Sequence, residues 1–132
     1  GGMCHMDAAM TQQGLNEMGI DDVDLIFIEN VGNLVCPAEF DTGAGINITI
    51  LSVPEGDDKP AKYPLVYTVS DVVLINKVDA LAIFDFDKEL VEKRIHTLNP
   101  KAQIFYISAK KDEGFESWIN YLKEKMKEWE EK

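Results

Sequence analysis

Positive charge is what this 132-residue sequence has least of: 13 Lys and Arg stand against 24 Asp and Glu, for a formal net charge of -11. Affinity for a phosphate backbone comes largely from Lys and Arg releasing counterions, so the balance argues against nucleic acid as a partner. Long apolar runs are missing too. No stretch approaches the roughly 18 to 20 apolar residues of a bilayer span, and no charged-then-apolar signal segment opens the chain. No membrane partner is expected, and a cytoplasmic location is the default expectation. Cysteine is scarce, with only Cys4 and Cys36. Two cysteines exclude a disulfide-dense secreted scaffold; they could form one bridge in an oxidising compartment, but free thiols or thiolate ligands are the better reading. Internal repeats, low-complexity stretches and linkers are absent as well. At this length, with 45% hydrophobic residues, the expectation is a single domain, residues 1–132, around one core. The opening Gly1-Gly2, without an initiator Met and with an apolar helical pattern almost at once, is the pattern expected of a cut within a longer protein.

What is present alternates between two periods. Asp24 to Glu29 is a continuous apolar run closed by an acid, as a strand buried on both faces of a parallel sheet would be. Ile46 to Val53, Val72 to Ile75 and Ile104 to Ile107 repeat the pattern, each followed by polar or Gly/Pro-bearing turns. Helical patterns fall at Asp7 to Met18, at Asp87 to Leu98 ahead of Asn99-Pro100, and from Gly114 to the end, with Asp41 to Gly45 and Pro54 to Pro64 reading as loops. The last helix places Phe115, Trp118, Ile119, Leu122, Met126 and Trp129 on one apolar stripe, whose ordinary role is core packing. Glu124, Glu128, Glu130 and Glu131, interleaved with Lys123, Lys125, Lys127 and Lys132, form a solvated face that serves solubility. Alternating strands and helices predict an α/β fold with a mostly parallel sheet, helices on both faces, and the working site at the carboxyl ends of the strands.

Candidate chemistry collects at those ends. Asn76-Lys77-Val78-Asp79 directly follows a strand. There the Asp79 carboxylate can accept two hydrogen bonds from the ring N–H and exocyclic amine of guanine, a bidentate contact that adenine does not offer. Asn76 would hold the loop and approach the far edge of the base, and the aliphatic stem of Lys77 would lie across its face. One β-α unit later comes Ser108-Ala109-Lys110, where a hydroxyl and a backbone N–H can buttress the base. The triplet alone reads more readily as an ordinary polar strand-to-helix turn; it is the pair of motifs, in this order, that points to guanine. Upstream, Glu29 closes the first apolar run and Gly32 follows three residues on. In nucleotide hydrolases an acid here holds Mg²⁺, directly or through water, and such a Gly presents its N–H to the terminal phosphate; the usual acid is Asp, from which Glu29 departs. No Gly-x-x-x-x-Gly-Lys-[Ser/Thr] occurs anywhere. Without that loop there is no backbone nest for phosphates, and the chain as given is expected not to hydrolyse GTP.

Cys4-His5 precedes the first helix and Cys36 stands before Pro37. Two thiolates and an imidazole suit Zn²⁺ or Ni²⁺ far better than Mg²⁺ or Ca²⁺, and a helix N-terminus lowers a thiol pKa. Three ligands leave a tetrahedral ion one short, which invites water or a second copy of the chain. From spacing alone, a buried inert Cys36 and an exposed His5 remain the alternative.

Taken together, Cys4-His5-Met6-Asp7-Ala8, the string from Leu25 through Glu29-Asn30-Val31-Gly32-Asn33-Leu34-Val35-Cys36-Pro37-Ala38, Glu55-Gly56-Asp57-Asp58-Lys59 and Asn76-Lys77-Val78-Asp79 resemble the HypB family of hydrogenase maturation GTPases, in order and approximate spacing. The resemblance covers essentially the whole chain. It implies a truncated P-loop GTPase-type domain, GTP or GDP with Mg²⁺ as cofactors, and delivery of nickel during hydrogenase maturation, in some members also for urease. It further implies nucleotide-dependent homodimerisation, with Cys4, His5 and Cys36 holding Ni²⁺ or Zn²⁺ at the dimer interface, and hydrogenase maturation proteins as partners. Glu29 in place of Asp is then the family's own pattern. The alternatives are another accessory GTPase of urease or cobalamin type, and a non-enzymatic metal-binding dimerisation module.

Overall fold

The computed structural model describes residues 8–30 and 41–132. Three parallel strands, β1 (Ile48–Ser52), β2 (Val72–Asn76) and β3 (Gln103–Tyr106), form a sheet in the order β1-β2-β3. Ile48 stands opposite Val72 and Val72 opposite Gln103, so the carboxyl ends of all three strands share one edge of the sheet.

Helix α1 (Ala8–Met18) precedes the sheet; the short helices α2 (Lys59–Lys62) and α3 (Pro64–Thr68) join β1 to β2. Helices α4 (Lys88–Leu98) and α5 (Phe115–Glu130) precede and follow β3. The segment from Pro54 to Pro64, expected as a loop, is therefore partly helical. Pro60 and Pro64 sit in first turns, where the missing N–H costs nothing.

β2 is buried along four of its five residues because helices cover both its faces. Val73 and Ile75 pack with Leu51, Val53, Val66 and Tyr67, and with Val91 and Ile95 of α4, whose four-residue spacing puts them on one helical face. Val72 and Leu74 pack on the other side with Ile107 and Trp118 of α5. Full burial of each such side chain is worth about 1.5–3 kcal/mol, so β2 anchors both half-cores. On α5 the expected stripe is only partly covered. Trp118 stacks near Phe105 and Tyr121, with centroids 5.6 and 6.1 Å away, whereas Ile119 and Trp129 are exposed.

One expected strand does not form. Residues 24–29 are irregular, with Leu25 and Phe27 exposed. A strand buried on both faces needs a ladder partner and covering layers, and among the described residues no strand pairs with this run. The other strand expectations hold to within two residues at each end.

Tyr67 is fully buried, yet its hydroxyl has no hydrogen-bond partner among the described residues. Burial pushes the phenol pKa far above its ordinary 10.0. Leaving a buried hydroxyl unpaired costs about 1–3 kcal/mol. Tyr67→Phe is therefore expected to stabilise the fold by about 1 kcal/mol, seen as a higher urea midpoint at unchanged m value; a lower midpoint would show that the hydroxyl is paired.

Candidate functional site

At the carboxyl edge of the sheet the chain leaves β2 through Asn76 and turns sharply. Lys77 adopts a left-handed conformation (φ 62°, ψ 39°), and Val78–Ala80 complete a single 3-10 turn. A left-handed non-glycine residue costs roughly 1–2 kcal/mol, so its surroundings must hold it there. They do so from both sides. The Ala80 N–H donates to the Lys77 carbonyl at 2.9 Å, and the Val78 N–H donates to the Ile107 carbonyl, beyond β3, at 3.2 Å.

The loop after β3 supplies the second wall. Ser108 is fully buried. Its hydroxyl donates to Asp79 Oδ1 at 2.8 Å and accepts the Lys111 N–H at 3.2 Å. The Ala109 N–H donates to Asn76 Oδ1 at 3.2 Å. Ser108 and Glu113 exchange backbone hydrogen bonds of 3.0 and 3.1 Å, closing the turn beneath the site. Gly114 completes it at φ 77°, where a Cβ would fall 2.1 Å from the Tyr106 carbonyl oxygen, so only glycine fits without a backbone shift.

The structure thus brings Asn76, Asp79, Ser108 and Ala109 into direct contact, with Lys77 and Lys110 exposed on the same two loops. The Ser108 hydroxyl holds the Asp79 carboxyl below its ordinary 3.8, and Lys111 and Lys110 add to the effect. Asp79 is ionised at neutral pH. With one lone pair engaged by Ser108, the carboxylate keeps further acceptor sites and its second oxygen, enough for two donors on one edge of a base. Lys111 was not singled out from the sequence; its backbone N–H, which engages Ser108, carries no residue-type signal.

Of the remaining candidates, Glu29 alone falls among the described residues. Glu29 is exposed at the end of the irregular segment 24–29, and Gly32 lies outside the described residues. Cys4, His5 and Cys36 also lie outside them. Among the described residues no group of three or more His, Cys, Asp and Glu is arranged to hold a metal ion. Among the described residues, the candidates brought together are therefore Asn76, Asp79, Ser108 and Ala109 at the carboxyl edge of the sheet.

Because the folded-state pKa of Asp79 is depressed, the stability its ionisation contributes is present above the unfolded value and is lost as pH falls through the folded value. Ser108→Ala removes the principal cause. It is expected to raise the Asp79 pKa toward 3.8 and to shrink this acid-side contribution, as followed by ¹³C NMR titration of the carboxyl carbon. An unchanged titration would remove the hydroxyl as the cause.

Comparison with known proteins identifies the family. A family model described as the CobW/HypB/UreG nucleotide-binding domain matches residues 1–106. The hydrogenase maturation factor HypB of Escherichia coli (strain K12) is 44% identical over 119 residues, covering 90% of this chain and 41% of that protein. The hydrogenase/urease maturation factor HypB of Helicobacter pylori (strain J99) is 41% identical, covering 97% of this chain and 54% of its own length. The chain thus spans about half the length of these relatives. Among solved structures, HypB from Archaeoglobus fulgidus superposes with a TM-score of 0.83 at 40% identity, over 93% of this chain and 65% of that one. HypB from Helicobacter pylori in complex with nickel gives 0.86 at 42% identity, over 97% and 61%. The chain belongs to the CobW/HypB/UreG nucleotide-binding family and matches HypB proteins over nearly its whole length.

Proposed function

We propose that this chain is the base-reading and metal-carrying part of a GTP-dependent nickel metallochaperone for hydrogenase maturation. The observation that carries the reading is the ionised Asp79 held by Ser108 beside the Asn76–Ala109 contact. A carboxylate fixed at the mouth of a parallel sheet, with acceptor capacity beyond the bond from Ser108, selects a base edge that carries two donors. Guanine has such an edge.

In this reading residues 1–132 are one partial GTPase domain. Asn76, Lys77, Asp79, Ser108, Ala109 and Lys110 bind the base, and Glu29 and Gly32 serve Mg²⁺ and the terminal phosphate in the complete protein. Cys4, His5 and Cys36 bind nickel, the cargo, or zinc in its place, at a homodimer interface, and hydrogenase maturation proteins receive it in the cytoplasm. A nickel-bound HypB relative supports the cargo. Cys36 lies seven residues beyond Glu29. A shift of the Gly32 loop on phosphate release would therefore move one metal ligand relative to Cys4 and His5, and nucleotide state would gate metal release. By reciprocity, nickel affinity must then differ between the GTP- and GDP-bound forms.

The sequence lacks a phosphate-binding loop, which favours a second reading for the chain by itself: a metal-binding dimerisation module without hydrolase activity. Exposed apolar side chains at Ile83 and Phe84, on the loop that leaves the base site, offer surface that a second copy could cover.

Two measurements test the proposal. Titration with Ni²⁺ is expected to give a thiolate-to-nickel absorption band and a dimer mass by size exclusion, both lost in Cys4→Ala and Cys36→Ala. A folded chain without that band would sink the metal assignment. Separately, GDP is expected to shift the amide resonances of Asn76–Asp79 and Ala109. Asp79→Asn, which turns an acceptor into a donor, is expected to exchange guanine preference for xanthine. Equal response of both chains to both bases would refute the role given to Asp79.

A further inference from the structure

The string Glu55-Gly56-Asp57-Asp58-Lys59 belongs to none of the roles above, although it lies at the carboxyl end of β1. Glu55 closes this turn on itself: its carboxylate accepts the Ser52 N–H at 2.7 Å and pairs with Lys59. Asp58 pairs with Lys62 at 3.1 Å, both half-exposed. Asp57 alone reaches across the molecule. Its Oδ2 accepts the Asp87 N–H at 2.8 Å, its Oδ1 accepts Arg94 Nη1 at 3.1 Å, and its carbonyl accepts the same nitrogen at 2.7 Å.

Asp87 is where the base-reading loop ends. That loop leaves β2 at Asn76, passes through Lys77 and Asp79, exposes Ile83 and Phe84, and enters α4 at Asp87, whose own side chain caps the helix by accepting the Leu90 N–H at 3.1 Å. Its near end is fixed by the Ser108 and Ala109 contacts. At its far end, the one side-chain acceptor recorded among the described residues from outside the loop and α4 is the carboxylate of Asp57. Arg94, one helical face further along α4, keeps that carboxylate aimed at the Asp87 N–H.

We infer that Asp57 is a positioning residue for guanine recognition: it clamps the far end of the base-reading loop to the end of β1, so that the left-handed Lys77 turn and Asp79 are held from both ends. This rests on the proposed reading of Asp79 as the base-selecting residue. Asp57 itself touches no base.

Asp57→Asn keeps the shape but sets an N–H₂ donor against either the Asp87 N–H or the Arg94 guanidinium. In the 132-residue chain, amide exchange at Val78, Ala80 and Leu81, whose N–H groups are bonded within the loop or to Ile107, is expected to rise by about tenfold. Amides of β1 and β2 should keep their protection. The Asp79 carboxyl should titrate closer to its ordinary value as its bond to Ser108 loosens, a change that simple loss of a helix cap would not cause. Arg94→Gln, which cuts the clamp from the other side, is expected to act in the same direction and serves if Asp57→Asn fails to fold; Asp58→Asn should do neither. Disturbance confined to Asp87 and α4, with Asp79 titrating as in the parent chain, would reduce Asp57 to a helix-capping residue and overturn the inference. Adding GDP to the parent chain separates the two failures. No GDP response alongside a loosened loop counts against base reading alone, while a GDP response with an unmoved loop counts against Asp57 alone.

Discussion

Burial of β2 on both faces is the constraint from which the site follows. A strand covered above by α4 and below by α5 cannot slide or tilt without exposing Val72, Val73, Leu74 or Ile75, each worth about 1.5–3 kcal/mol of burial. Its parallel register with β3 then puts the exits of the two strands side by side. Asn76 and Ser108 are the residues at or just past those exits. Their proximity is a consequence of the core, and the hydrogen bonds between the loops settle details that the core has already bounded.

Those hydrogen bonds are of unequal kind. The Asn76–Ala109 bond is neutral and joins the loops at the sheet edge. The Ser108–Asp79 bond involves an ionised acceptor and a buried donor, a combination about twice as strong as a neutral pair. Removing the hydroxyl would leave a carboxylate free to rotate into solvent. Preorganisation of this sort limits the entropy lost when a ligand arrives, which is what a small and specific base contact needs. Gly114 acts one level deeper. By allowing the turn beneath Ser108 to approach the Tyr106 carbonyl, it keeps the hydroxyl pointing at Asp79.

Legibility in the sequence followed how local each feature is. β2, β3 and α4 were readable because apolar runs, a capping Asp87 and the Asn99-Pro100 stop are all encoded within a few residues. The run Asp24–Glu29 has an apolar centre like that of β2, yet it is irregular. A strand is a pairwise object, and local composition does not report which neighbour, if any, pairs with it. The stripe on α5 was readable as a stripe but not as partly covered, since coverage depends on what packs against it. The cross-chain role of Asp57 was invisible for the same reason. Its partners stand 30 and 37 residues away, and nothing local distinguishes it from its neighbour Asp58.

Charge scarcity gives the placement of the few cations its meaning. In a chain with net charge -11, an approaching nucleotide polyanion meets repulsion over most of the surface. Lys77 is exposed on the loop that carries Asp79, and Lys110 and Lys111 lie close enough to depress the Asp79 pKa. At physiological ionic strength the screening length is about 8 Å, so acids further off are muted while the Lys110 and Lys111 ammonium groups still act on Asp79. On the proposed reading of Asp79, the cations beside that group therefore weigh more in the potential a ligand meets there than the net charge does.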